Sequence, residues 1–158
     1  MADKAISRIP TIFPLTLVLD TAQYASGDVM VVPQEIAGVC PGGRGAVLTS
    51  MVITDLDDQG GSLEVLLTGE SISIGTLNAA YAIAQADAGA IQARIAVASG
   101  DFADYGSFKY AQYGPAATGM GGVLQSTVGS SLWLGVISRD TKTQSAAGIL
   151  VKLGFEVP

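Results

Sequence analysis

The sequence predicts an all-β fold: a single antiparallel β-sandwich, jelly-roll-like, of about eight strands with an N-terminal arm. Three observations lead there. Short runs rich in Val, Ile and Leu recur with a period of two, the spacing that puts alternate side chains on one face of a strand. Turn-forming Gly, Ser and Asp residues separate the runs at short intervals. At 158 residues the chain has the length of one domain. By surface scaling it would bury about two-thirds of its unfolded surface, enough for a core without disulfide or metal staples.

Residues 1–14 read as the arm and 15–158 as the sandwich domain. The arm carries Pro10 and Pro14 and no clean periodicity, yet Ile6, Ile9, Ile12 and Phe13 are apolar. Such a segment packs either along its own domain or on a neighbour. Leu15–Asp20 gives alternating leucines, then a polar break at Tyr24–Asp28, and Val29–Val32 is a short run closed by Pro33. Ala46–Thr54 and Ser62–Thr68 flank Asp55-Leu56-Asp57-Asp58-Gln59-Gly60-Gly61. That is a hairpin pattern, with both glycines free to take positive φ. Ile72–Ile74, Ile91–Ala98, Ser107–Gln112, Gly122–Val128, Leu132–Ser138 and Ile149–Phe155 complete the strand set. The alanine-rich stretch from Asn78 to Ala98 has helical propensity, but Gly89 interrupts it and Ile91, Ala93, Ile95 and Val97 alternate. It divides into a strand near 80–84, a short helix or turn near 86–92 with Asp87 as cap, and a strand over 92–98.

Composition removes several function classes. The chain has no histidine, which excludes Ser-His-Asp, Cys-His and His-ligated metal chemistry. A single cysteine, Cys40, permits no intrachain disulfide and reads as a small buried hydrophobe before a Pro-Gly-Gly turn. Eight basic residues, scattered singly, against fourteen acidic ones give a net charge of -6, the wrong surface for nucleic acid. The start is mixed in charge and broken by prolines, unlike a signal peptide. The uncharged stretch 111–138 is too rich in Gly, Ser, Thr and Gln for a membrane span. The expectation is a soluble protein made in a cytoplasm, with no nucleic-acid or membrane partner. Only 14% of residues are charged, so part of the surface is expected to be covered by other subunits.

Candidate sites are few. Asp55, Asp57 and Asp58 begin like a calcium loop, with Gly60 at the sixth position, but Leu66 stands where a bidentate Glu is needed. The favoured reading is a solvated hairpin tip, with calcium binding and acid/base chemistry as the alternatives. Asp101 and Asp104, interleaved with Phe102 and Tyr105, fit either a β-turn with both rings tucked inward or a sugar-contacting loop. Tyr105, Tyr110 and Tyr113 cluster and could line an interface, where tyrosine is enriched. The Gly42-Gly43-Arg44-Gly45 and Gly119–Gly122 runs lack the Lys-Ser/Thr of a phosphate loop. The sequence therefore points to no catalytic residue, cofactor or metal. Its candidate interface residues are Ile9, Ile12, Phe13, Tyr105, Tyr110 and Tyr113.

The C-terminal pattern is the most distinctive. Ser131–Arg139 runs into the polar loop 140–145 and returns as Gly148–Phe155, ending Lys-Leu-Gly-Phe. Together with Leu-Asp-Thr…Tyr-Ala-Ser-Gly-Asp-Val and Asp-Leu-Asp-Asp-Gln-Gly, this pattern resembles small virion proteins of tailed bacteriophages over residues 15–156. The resemblance implies a capsid cement, or decoration, protein: a non-enzymatic homotrimer on the virion surface. It would be made in the host cytoplasm and would bridge subunits of the phage major capsid protein. Head-fibre and tail proteins share the composition and stand as the alternative, beside a carbohydrate-binding β-sandwich and a hydrolase resting on Asp55–Asp58.

Overall fold

A computed structural model describes residues 10–157. Among the described residues there are ten strands: β1 (Thr11–Thr16), β2 (Val29–Ile36), β3 (Ala46–Asp55), β4 (Leu63–Thr68), β5 (Ile91–Val97), β6 (Ala103–Asp104), β7 (Lys109–Tyr113), β8 (Val123–Leu124), β9 (Leu132–Ser138) and β10 (Ile149–Glu156). They form two antiparallel sheets, one ordered β1-β10-β3-β7-β6 with β8 also on β3, the other β2-β9-β4-β5. The pairing is nested: β1 with β10, β2 with β9, β3 with β7, β4 with β5. The chain thus doubles back as one long hairpin wrapped into two layers. The all-β sandwich expected from the period-two runs is the observed fold.

Between the layers lies the main core. Leu48, Met51 and Ile53 of β3 and Val151, Leu153 and Phe155 of β10 are buried in it. From the second sheet Val65 and Leu67 of β4, Ile95 of β5, and Leu134 and Val136 of β9 join them. The inward alternation of β3 slips between Leu48 and Met51, opposite a register shift at Gly154/Phe155, so a bulge keeps both halves of the strand facing inward. Phe13 of β1 packs edge-on against Phe155, ring centroids 5.7 Å apart at 75°.

The second sheet is buried on its outer face as well. The segment 69–90 crosses it, and Ile72, Ile74 and Ala90 pack on Val29, Leu66 and Ile137. This explains why β4 is buried along its whole length and why its sequence does not alternate. Gly135 in β9 is part of the same fit: a Cβ there would stand 2.7 Å from Ile74 Cδ1.

Several sequence expectations are corrected. β3 and β4 are not a hairpin, since they lie in different sheets and 56–62 is a crossing between layers. The arm boundary at residue 14 falls inside β1, where Thr11–Thr16 pair with Phe155–Leu150 of β10. Ile9 lies outside the described residues. Ile72–Ile74 is cover rather than strand, and Ala80 makes only an isolated bridge to Asp28 in place of a strand over 80–84. The 3₁₀ turn over Gln85–Ala90 before β5 is the short helix or turn expected in the alanine-rich stretch. Of 122–128 only Val123–Leu124 is strand. At Ile72 and Ile74 a local apolar pattern is satisfied by packing on a layer rather than by a ladder.

Phe155 closes the core beneath β1. We expect Phe155→Ala to lower unfolding stability by about 3–5 kcal/mol in urea melts, the range for emptying a buried aromatic site. A loss below 1 kcal/mol would contradict this packing.

Candidate functional site

The candidate interface residues do not converge. Ile12 and Phe13 lie on β1, one edge of the larger sheet, while Tyr105 and Tyr110 lie by the β6–β7 edge at its other side. Four strand spacings, about 19 Å, separate β1 from β6. Ile12 is half exposed, whereas Phe13 turns into the core. Tyr105 is 62% exposed. Its ring stacks on Phe108 at 5.2 Å and meets Tyr110 edge-on at 6.4 Å, a small aromatic patch. Tyr113 is drawn away, its hydroxyl donating to Asp101 Oδ2 at 2.7 Å. Burial, then that hydrogen bond, pushes the Tyr113 phenol up, while the same bond and the Ala98 N–H hold Asp101 below the usual carboxylate range.

The loop expected to tuck both rings inward splits them. Phe102 packs against the core and Tyr105 faces solvent. Asp101 accepts the Ala98 N–H at 2.9 Å and Asp104 accepts the Gly106 N–H at 2.7 Å. Both carboxylates thereby shape turns.

The acidic triplet is not a solvated tip. Asp55, only 2% exposed, accepts the backbone N–H of Asp57 at 3.0 Å and of Gly60 at 2.7 Å. Asp57 Oδ2 accepts the Ser145 N–H at 2.6 Å. With its amide turned to donate, Gln144 reaches Asp57 Oδ2 at 2.7 Å and Asp55 Oδ1 at 3.3 Å. Gly148 lets the two loops meet, because a Cβ there would run into the Asp57 carboxylate. Asp58, at φ 57°, pairs with Lys109 at 3.3 Å. Lys142 is buried beside this cluster and donates to the carbonyls of Gly61 at 3.0 Å and Ser62 at 2.9 Å. The cluster therefore joins the β3–β4 crossing to the β9–β10 crossing. Its carboxylates already accept protein N–H groups, and among the described residues no group of three or more metal-capable side chains converges.

A second polar network lies on the smaller sheet. Glu64 of β4 is buried and takes Arg94 of β5 at 2.7 Å and Arg139, just past β9, at 2.9 Å. Burial pushes the Glu64 carboxyl up, but hydrogen bonds from Arg94 and Arg139 outweigh it and hold it below its ordinary value. Arg139 also stacks over the Tyr81 ring at 5.1 Å. Neither network was legible in the sequence, since Lys142 and Gln144 sit in an ordinary polar loop and Arg94 alternates like any strand residue.

The feature best suited to an outside partner is an apolar groove between Val18, just past the end of β1, and the edge strand β2. It has a volume of about 310 Å³ and is lined by Val18, Val31, Val32, Pro33, Gln34 and Leu77. Val18 is 70% and Val32 46% exposed. Gln34 ties the two edges by donating to the Thr16 carbonyl at 3.4 Å. Sequence reading missed it because Val18 and Val32 belong to runs that look like core. No protein-family model matches the chain, and no curated protein is detectably similar to it.

Two outcomes test the buried cluster. Asp55→Ala strands the Asp57 and Gly60 N–H groups and should cost about 2–4 kcal/mol of unfolding stability, with Asp55→Asn costing roughly half. Equal stability of Asp55→Ala and the parent protein in urea melts would refute the role. The second outcome concerns pH. Burial lowers Lys142 from 10.5 to about 8, against the pull of Asp55 and Asp140. Between about pH 8 and 10.5 the unfolded chain keeps a proton that the folded chain has released, so this group's contribution to stability rises with pH. Cys40, Tyr24 and Tyr113, each pushed up chiefly by burial, act in the opposite sense at alkaline pH. Subtracting the profile of Lys142→Met removes them. The difference should climb by about 2–3 kcal/mol from pH 8 to 10, and a flat difference would refute the desolvated ammonium.

Proposed function

We propose that this protein is a structural virion component: a capsid cement, or decoration, protein of a tailed bacteriophage that bridges major capsid subunits as a homotrimer. The observation that carries the reading is the apolar β1–β2 edge. Val18 and Val32 stand exposed there beside the groove, with Ile12 farther along β1. Each large aliphatic side chain that such an edge buries in an assembly contributes about 1.5–3 kcal/mol on full burial. The chain's low charge supports the same use, because the cores of subunit interfaces are depleted in charged residues. Nested pairing of the strands supports reading the sandwich as a jelly roll, a fold built of paired Greek keys and used in viral shells. The threefold number rests on the sequence resemblance and on the closed symmetry that homo-oligomers favour.

Co-purification with assembled heads tests the reading. The protein should sediment with full heads at a fixed copy number per shell subunit, and Val18→Asp with Val32→Asp should reduce occupancy at least tenfold while leaving the melting temperature within a few degrees. Occupancy of a few copies per particle would instead favour a tail or head-fibre position. No association with particles would overturn the assignment. Arm truncations belong at residue 9, because cutting at 14 also removes four residues of β1.

A further inference from the structure

We propose that the β1–β2 groove receives the N-terminal segment of a second copy of this chain, with Ile6 and Ile9 as the side chains that enter it. This deepens the homo-oligomer part of the proposed function and rests on it. The groove is apolar on both walls and open to solvent along Val18 and Val32. The segment before Pro10 offers two aliphatic side chains three residues apart. Bound as a polyproline-type segment, with three residues per turn, it would present Ile6 and Ile9 on the same side.

Reach decides which copy supplies the segment. Pro10 adjoins the start of β1, while Val18 stands two residues past its end. At 3.3 Å per residue the groove lies about 20–26 Å along the strand from Pro10. Ile6 is four residues before Pro10, a span of at most about 14 Å fully extended, and Ile9 is its neighbour. Even doubled back along β1, neither isoleucine reaches its own groove. A neighbouring copy has no such limit.

The edge strands favour docking by side chains over strand addition. Pro14 in β1 and Pro33 in β2 each lack the N–H that a paired strand would use. Gln34 in the groove wall has an amide oxygen with no hydrogen-bond partner among the described residues. Turned outward, it would accept an N–H of the incoming segment or the Arg8 guanidinium.

The test is a disulfide trap in the full chain, with the native thiol removed by Cys40→Ala. One copy carries Ile6→Cys and the other, differently tagged, carries Val32→Cys; they are mixed and oxidised, and the linked peptides are read by mass spectrometry. We expect a crosslinked dimer containing both tags, and, when one chain carries both substitutions, linkage between chains rather than within them. Linkage only within one chain, or an oligomer by light scattering with no linkage, overturns the proposal while leaving the homo-oligomer standing. Separately, Ile6→Asp with Ile9→Asp should weaken self-association at least tenfold, and an unchanged dissociation constant overturns the proposal. A monomer that still decorates heads overturns the segment exchange alone. A monomer that never binds heads overturns the function as well.

Discussion

The buried Asp55 carboxylate is the constraint on which the two-layer arrangement rests. It stands at the last residue of β3, where the chain must leave one sheet and enter the other. A carboxylate removed from water is costly unless hydrogen bonds replace its hydration. Asp57, Gly60 and Gln144 supply them, and satisfying them fixes the course of the crossing that follows. The return crossing is bound to the same group through Gln144 and, by way of Asp57, through Ser145. Lys142 completes the junction by donating to two carbonyls of the opposite loop. Apolar packing holds the sheets face to face, but it is non-directional. This polar junction specifies how the chain passes between them.

That junction leaves the other parts of the molecule free for contact. The smaller sheet carries the 69–90 cover and the Glu64–Arg94–Arg139 cluster on its outer face, and its edge strand β2 exposes Val32. The larger sheet ends in two unlike edges: an aromatic patch of Tyr105, Phe108 and Tyr110, and an aliphatic edge at β1 facing β2. Edge strands ordinarily recruit other strands, and the prolines on β1 and β2 limit that. The surface remaining between them is aliphatic and open to solvent at Val18 and Val32.

Local signals in the sequence were enough for the class of fold and for several strands. Leu132–Ser138 is a strand with the bounds its residues give, because each side chain there fits the alternation between two buried faces and Gly135 lacks one. Ile91–Val97 and Ile149–Glu156 follow from the same period. Composition also carried the shortage of charge. These are short-range properties, decided by which residues sit two apart.

What the tertiary structure decided is partnership between distant residues. Asp55-Leu56-Asp57-Asp58-Gln59-Gly60-Gly61 has the composition of a hairpin turn, and nothing within it announces that Gln144 and Ser145 lie close enough to donate hydrogen bonds to its carboxylates. Ile72 and Ile74 alternate like a strand, yet they bury against Val29, Leu66 and Ile137 without pairing, since a layer offers apolar contact in every direction and a ladder in only one. Val18 and Val32 read as core and stand at the surface, because β1 and β2 became edges. Periodicity fixes which face of a segment is apolar, while only the closing of the two sheets determines whether that face meets the interior, a covering loop or a neighbouring molecule.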